Sequence, residues 1–301
     1  GGTPSLLSEK QFENIMLALK NCNKNVLQAD EISIEATPES IQSGKLKVFA
    51  AYGLNRVSVG VESFNNNEIS LSGRHNNSML SEERILLLKS AGLRNICVDL
   101  MYGLQNQTLE SWEHSVSSLI QLYPNTIELY AVADTPFTRF SSQEKFVMSA
   151  GHKRDAYNTA RQMYLEAGYM QDCHLRFISS EDGGYRQQKN IFSGQSLIGF
   201  GVGARGYSKR YHYRNVYDAS NPKEAISSYI RDLEDGKSSI TGICELSDDD
   251  LVRQYVIYNL EHLHTTVFQE KFGVSYEERF EEQYATMLDN NLCYVEDNVI
   301  Y

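Results

Sequence analysis

Asn95-Ile96-Cys97-Val98-Asp99-Leu100-Met101 is an apolar run interrupted by one acid, and it lies between two helical patterns. A helix from about Ser81 to Gly92 leads into it, and Thr108 opens another behind it that turns Leu109, Trp112, Val116, Leu119 and Ile120 inward. The same alternation continues outward in both directions. Toward the N-terminus lie a strand from Val57 to Val61, a strand-like Glu31-Ile32-Ser33-Ile34-Glu35-Ala36, and a helix opened by Thr37-Pro38 that presents Leu46 and Phe49 and stops at Gly53. The first helix follows Ser5, with Ser8 and Gln11 at capping-box spacing and Phe12, Ile15, Met16 and Leu19 on one face. Toward the C-terminus come a strand from Thr126 to Ala133 and a helix from about His152 to Gly168 that groups Tyr157, Ala160, Tyr164 and Ala167. Four strand-helix units with short connections imply parallel strands and right-handed crossovers. The expected class is α/β, a partial (β/α) barrel over residues 1–168.

Beyond residue 168 the pattern changes. Residues 169–246 are rich in glycine, aromatics and alternating strand signals, and include Ser196-Leu197-Ile198-Gly199-Phe200-Gly201-Val202-Gly203-Ala204-Arg205. Residues 247–301 read as helix, short helix, helix and a strand pair turned at Glu296-Asp297-Asn298, an order like a winged helix. Charge argues against DNA there, because this stretch holds 12 Asp and Glu against 3 Lys and Arg, a net of −9. The whole chain, 301 residues at −11, repels polyanions on average, so nucleic acid is excluded as the leading partner. Its 41% hydrophobic content suffices for a core. No run approaches the roughly 18 apolar residues of a membrane span, and no export signal opens the sequence. Cys22, Cys97, Cys173, Cys244 and Cys293 are an odd set, with no two closer than 49 residues. They form neither a disulfide framework nor a metal clip, which suits a cytoplasmic protein.

In parallel β/α proteins ligands bind at the carboxyl ends of the strands. Gly1-Gly2-Thr3-Pro4 opens the chain, Glu35 ends the first strand, Glu62 follows the second, Asp99 lies near the end of the third and Ala131 near the end of the fourth. Arg74 is on the way out of the second. Carboxylates, one guanidinium and glycine backbone converging there suit a zwitterion and a ribose diol: acids and carbonyls take an ammonium, Arg a carboxylate, and acids paired hydroxyls.

Gly1-Gly2-Thr3-Pro4-Ser5, Glu31 to Ala36, Arg56-Val57-Ser58-Val59-Gly60-Val61-Glu62-Ser63-Phe64 and Val98-Asp99-Leu100-Met101-Tyr102-Gly103-Leu104, followed by Gln107-Thr108-Leu109-Glu110-Ser111-Trp112, resemble the radical S-adenosylmethionine (SAM) enzymes of the oxygen-independent coproporphyrinogen III oxidase-like family. The likeness covers nearly the whole chain; Asn190-Ile191-Phe192 and Gly199 to Ala204 look like the family's segment beyond the barrel. It implies that Gly1, Gly2 and Thr3 contact the methionine part of SAM, that Glu35 and Arg74 fix its amino acid end, that Glu62 and Asp99 face the ribose, and that Ala131 offers backbone to the adenine. It further implies a 5′-deoxyadenosyl radical that abstracts hydrogen from a substrate, a tetrapyrrole in the best-known members, with electrons from a donor such as flavodoxin or ferredoxin. No catalytic acid or base is singled out.

Three positions depart from the pattern. Glu62 stands where the porphyrinogen oxidases commonly have glutamine, and Arg205 replaces a residue that is apolar there and often His in relatives. The third concerns the [4Fe-4S] cluster, which the family binds on a Cys-x3-Cys-x2-Cys loop ahead of Gly-Gly-Thr-Pro; no such spacing occurs in this sequence. With a glycine pair at the start and a mid-strand end at Asn298-Val299-Ile300-Tyr301, the expectation is a fragment of a longer protein that carries the loop.

Arg205-Gly-Tyr-Ser-Lys-Arg-Tyr-His-Tyr-Arg-Asn-Val-Tyr217 mixes four cations with four tyrosines. Such a mixture suits a planar anionic tetrapyrrole, a single strand of nucleic acid, or simply a hairpin with cross-strand aromatic pairs. Arg186 and Lys189 add positive charge nearby. The alternative function is a non-catalytic haem or tetrapyrrole carrier, although Lys189-Asn190 stands where haem-trafficking relatives have His-Asn. The histidines, His262 and His264 among them, read as structural.

Overall fold

The computed structural model describes residues 2–133, 148–181, 183–208 and 210–301. They fall into two compact units, Gly2–Gly184 and Tyr185–Tyr301.

In the first unit the chain runs α1 (Glu9–Cys22), β1 (Ser33–Ala36), α2 (Ser43–Ala51), β2 (Arg56–Glu62), α3 (Asn66–Leu71), α4 (Ser78–Ser90), β3 (Asn95–Tyr102), α5 (Leu109–Leu122), β4 (Thr126–Ala131), α6 (Ala150–Glu166), β5 (Met170–Cys173) and β6 (Arg176–Ile178). These strands form one sheet in the order β1-β2-β3-β4-β6-β5, with β1 to β4 parallel and β5 and β6 antiparallel. The expected alternation and its parallel pairing are present. The sheet also extends past residue 168, because β6 pairs with β4.

Local chemistry moves several boundaries. The helix expected from Thr37 begins only at Ser43. Ser40 Oγ donates to the Thr37 carbonyl (2.7 Å) and accepts from Thr37 N (3.0 Å), which closes Pro38–Ser40 into a single 3-10 turn. The helix expected near Ser81 begins at Ser78, because the Asn77 side chain caps Leu80 N at 2.8 Å. On α1, Phe12 and Met16 are buried but Ile15 is exposed; on α5, Leu109 is exposed, as it lies in the first turn, ahead of the buried Trp112, Val116 and Leu119.

Side chains alternate across a strand, so the sheet has two faces. One carries Val57, Val59, Val61, Ile96, Val98, Leu100, Ile127, Leu129 and Phe177, which share a core with Phe49, Leu88, Trp112, Leu119, Ala160 and Tyr164 of the helices. The other carries Arg56 and Ser58 of β2, Cys97 and Asp99 of β3, Thr126 and Glu128 of β4, and Arg176 of β6. Register puts these side by side: Ser58 opposite Cys97, Asp99 opposite Glu128, Glu128 opposite Arg176.

The second unit comprises α7 (Arg186–Phe192), β7 (Arg205–Ser208), β8 (Tyr211–Asn215), α8 (Pro222–Glu234), β9 (Ile240–Glu245), α9 (Asp248–Tyr258), β10 (Leu263–His264), α10 (Thr265–Phe272), α11 (Tyr276–Arg279), α12 (Glu281–Asp289), β11 (Val295–Glu296) and β12 (Val299–Ile300). β7, β8 and β9 form an antiparallel sheet. β10, β12 and β11 form a second sheet whose Leu263 and Ile300 pack with Val252, Phe268 and Tyr276. Among the described residues no helix is long and apolar enough to cross a membrane.

Candidate functional site

Glu62 is the last residue of β2 and departs from ordinary strand geometry. Its φ is +70°, and the β2–β3 register shifts between Gly60 and Glu62. Such a bulge re-aims a side chain, and a non-glycine residue holds a left-handed conformation only where its surroundings enforce it. Here the carboxylate is aimed at Arg74: Nε donates to Oε1 at 2.8 Å and Nη2 forms an ion pair with the same oxygen. Arg74 reaches Glu62 across Gly60. A Cβ at Gly60 would lie 3.9 Å from Arg74 Nη2 and 4.0 Å from the Ala36 carbonyl oxygen, so the guanidinium stands over bare backbone near the end of β1. Glu62, by its hydrogen bond and then its charge, holds the guanidinium protonated more firmly than usual, with a smaller contribution from Glu39.

The next strand supplies Asp99. Ser58 Oγ donates to both its oxygens (3.2 and 3.3 Å) and Cys97 Sγ to Oδ1 (3.6 Å). Burial, with Glu128 and Glu35 adding like charge, raises its carboxyl to about 7. Burial also raises Glu35, against the pull of Arg56 and with a push from Glu128. Asp99 therefore exchanges a proton near neutrality and can either donate to or accept from a bound hydroxyl.

The remaining expected residues take separate places. Thr3 caps the turn Pro4–Leu6, where its carbonyl accepts from Leu6 N at 3.0 Å. Ser5 Oγ bonds Ser40 Oγ (2.6 Å) and Lys45 Nζ donates to the Ser5 carbonyl (2.9 Å), which ties this turn to the segment after β1. Gly2 is exposed with φ +82°, and Gly1 lies outside the described residues. No hydrogen bond joins Gly2 or Thr3 to Glu35, Glu62, Arg74 or Asp99 among the described residues. Ala131 ends β4 opposite Tyr102, and the next amide, Val132 N, donates to the Tyr102 carbonyl (2.9 Å).

Several contributors were not evident from the strand-end reading. Ser58, Glu128 and Arg176 sit within strands and reach the site only through alternation and register. Glu68 is a fully enclosed carboxylate on α3. It accepts from Ser63 Oγ (2.6 Å) and Gln107 Nε2 (3.1 Å), and Ser111 Oγ bonds its other oxygen at 2.5 Å. Gln107 Oε1 in turn accepts from Gly103 N (2.7 Å). This network joins the loops after β2 and β3, and Ser63 directly follows Glu62, so Glu68 helps hold the strained residue. Removing one partner of a buried network leaves the others unsatisfied. Glu68→Ala is therefore expected to cost about 2 kcal/mol in urea unfolding, and a loss below about 0.5 kcal/mol would show that water replaces the carboxylate.

Among the described residues, one group has metal-ligand geometry: Cys97, Asp99 and Glu128, whose ligand atoms lie within 4.8 Å of one another. It offers a single thiol, which burial pushes well above its usual range. An iron–sulfur cluster takes several thiolates, and all five cysteines are free and scattered, so the residues described do not fit a [4Fe-4S] cluster.

Comparisons with known proteins agree with this architecture. Residues 1–119 match the Radical SAM superfamily. The whole chain overlays the coproporphyrinogen III oxidase HemN of Escherichia coli with a TM-score of 0.84, at 22% identity and over 72% of that chain, a likeness of fold. Heme chaperone HemW of Lactococcus lactis is 26% identical over 98% of this chain and 76% of its own length. Heme chaperone HemW of Haemophilus influenzae is 33% identical over 57% of this chain and 44% of its own. The oxygen-independent coproporphyrinogen III oxidase of Pseudomonas aeruginosa is 27% identical over 94% of this chain and 64% of its own. The matched region thus spans from under half to about three quarters of these relatives. Residues 1–119, which carry β1 to β3 with Glu35, Glu62, Arg74 and Asp99, are accordingly of the Radical SAM superfamily, in a chain homologous to the oxygen-independent coproporphyrinogen III oxidases and to the HemW proteins.

Proposed function

We propose that the first unit is the SAM-binding part of a radical enzyme. The observation that carries this reading is the Glu62–Arg74 pair held over Gly60 beside the proton-exchanging Asp99. A zwitterionic amino acid can exchange into an acid–guanidinium pair, its carboxylate on Arg74 and its ammonium toward Glu35. Glu62 and Asp99 then accept from the ribose hydroxyls. Gly1, Gly2 and Thr3 border the methionine chain, and the Ala131 backbone meets the adenine. Bound SAM supplies a 5′-deoxyadenosyl radical for hydrogen abstraction; the protein binds, orients and excludes water. The class also uses a [4Fe-4S] cluster and an electron donor such as flavodoxin or ferredoxin, neither of which has an assigned site among the described residues. The names of the relatives favour a tetrapyrrole substrate, and the free cysteines favour the cytoplasm.

The test uses protein expressed from its complete coding sequence and reconstituted anaerobically with iron and sulfide. With SAM and dithionite it should release 5′-deoxyadenosine and methionine, and Asp99→Ala should lower the rate about tenfold or more, the value of one lost charged hydrogen bond. No 5′-deoxyadenosine from the wild type would sink the reading. A haem carrier is the second reading, favoured by the relatives named heme chaperone. A tight Soret shift on haem addition without 5′-deoxyadenosine release would select it.

A further inference from the structure

A cavity of about 620 Å³ lies wholly within the second unit, among α7, β7, β8, α9 and α10. None of the strand-end residues above contributes to it.

Its walls are flat. Phe192 stacks on Tyr258 with ring centres 4.9 Å apart and planes 19° from parallel. Tyr207 meets His212 edge-on at 4.7 Å. Surfaces of this kind take an aromatic ring with little loss of side-chain freedom, because each wall is already packed against its neighbour.

Its polar lining includes Arg210, His212, Asp248, Gln254 and Lys271, and the charges among them do not cancel. The Gln254 amide nitrogen lies 3.0 Å from His212 Nε2, and burial lowers the imidazole below its usual pKa, so this ring is neutral at pH 7. Arg210 and Asp248 both line the cavity and are ion-paired with each other. Lys271 has no carboxylate partner among the described residues. Its Nζ donates to the Ser193 carbonyl (3.2 Å) and stands 5.0 Å from the centre of the Tyr255 ring. The lining therefore carries one uncompensated positive charge, although residues 247–301 carry a net of −9. A cavity lined by aromatic and aliphatic side chains, with one charge left uncompensated, has the form of a small-molecule site.

We propose that this cavity binds a flat aromatic molecule with one negative charge, its ring against Phe192, Tyr258 and Tyr207 and its anionic group on Lys271. None of its lining residues is among those assigned to SAM.

Calorimetry on the 301-residue chain, with 2-naphthoate and its neutral analogue 2-naphthalenemethanol as probes, tests this directly. At low salt the naphthoate should bind one to one and about tenfold more tightly than the alcohol, the effect of one cation meeting one anion at a partly enclosed site. Lys271→Met should bring the two affinities within about twofold of each other while leaving that of the alcohol unchanged, and Tyr258→Ala should weaken both. Lys271 is exposed, so its replacement should leave the melting temperature unaltered. If neither probe binds, if both bind equally to the wild type, or if Lys271→Met preserves the preference for the anion, the proposal is overturned.

Discussion

Glu128→Gln is expected to destabilise the protein by about 3–5 kcal/mol, the usual cost of breaking a buried ion pair from one side. Glu128 is 7% exposed and lies between Arg176, 4% exposed, and Arg56, 2% exposed. Arg176 Nε donates to Oε1 at 2.8 Å, Arg56 Nη2 lies 3.9 Å from the same oxygen, and Tyr130 donates its hydroxyl to Oε2. Burial opposes the charge on Arg176, yet Glu128, by its charge and its hydrogen bond, keeps that guanidinium protonated above its ordinary range. The amide retains the volume and removes the charge, leaving two cations on a sheet face with Asp172, 3.2 Å from Arg176 Nη1, as a remaining acid. Urea unfolding at pH 7 checks the result. A loss below about 1 kcal/mol, the value of an exposed pair, would mean that water already solvates this face. The double substitution Glu128→Leu with Arg176→Met should recover part of the loss, because an apolar pair carries no desolvation cost.

The second large effect runs in the opposite direction and depends on pH. The Asp99 carboxyl titrates near 7 in the folded protein, against about 3.9 for an unperturbed aspartate. A carboxyl raised on folding binds its proton more tightly in the native state. Its contribution to stability is complete below pH 4 and is lost as pH rises through 7. At 1.36 kcal/mol per pKa unit, the upper bound on this loss is about 4 kcal/mol. Asp99→Asn keeps an acceptor for Ser58 and never ionises. Part of that loss has already occurred by pH 5, so the stability of the variant relative to the wild type should increase between pH 5 and pH 8 by about 2 kcal/mol, after allowance for the partial access of water. A difference that stays constant across that interval would show that Asp99 is ionised throughout.

Much of the first unit is visible in local sequence because its signals are local. The apolar runs at β2 and β3, the caps at Ser8 and Thr108, and the spacing of Trp112, Val116 and Leu119 each act over a few residues. Glu35 and Glu62, at or next to their strand ends, and Asp99, within β3 rather than at its end, follow from the same alternation. What lies across the sheet is not local. Glu128 and Arg176 are 48 residues apart and meet only because β6 turns antiparallel onto β4, a register that no periodicity announces. β5 and β6 are four and three residues long, too short for their strand character to declare membership of this sheet. Asn66–Leu71 was hidden for the same reason, and Glu68 on it would have looked like a surface acid. The cavity beside Lys271 depends on rings from α7, β7 and α9 and has no sequence pattern of its own. Of the segment 205–217, the hairpin is what the chain forms, with Tyr207 opposite His212 and Gly206 opposite Tyr213.

The left-handed backbone at Glu62 also bears on how this position can change. Glycine would relax the dihedral at no steric cost and would be favoured if stability alone were selected. It would also delete the carboxylate that holds Arg74 over Gly60. An acid kept at such an angle marks a point where the chain accepts lower stability for what that side chain does, so libraries screened for heat resistance and for ligand binding should diverge here first.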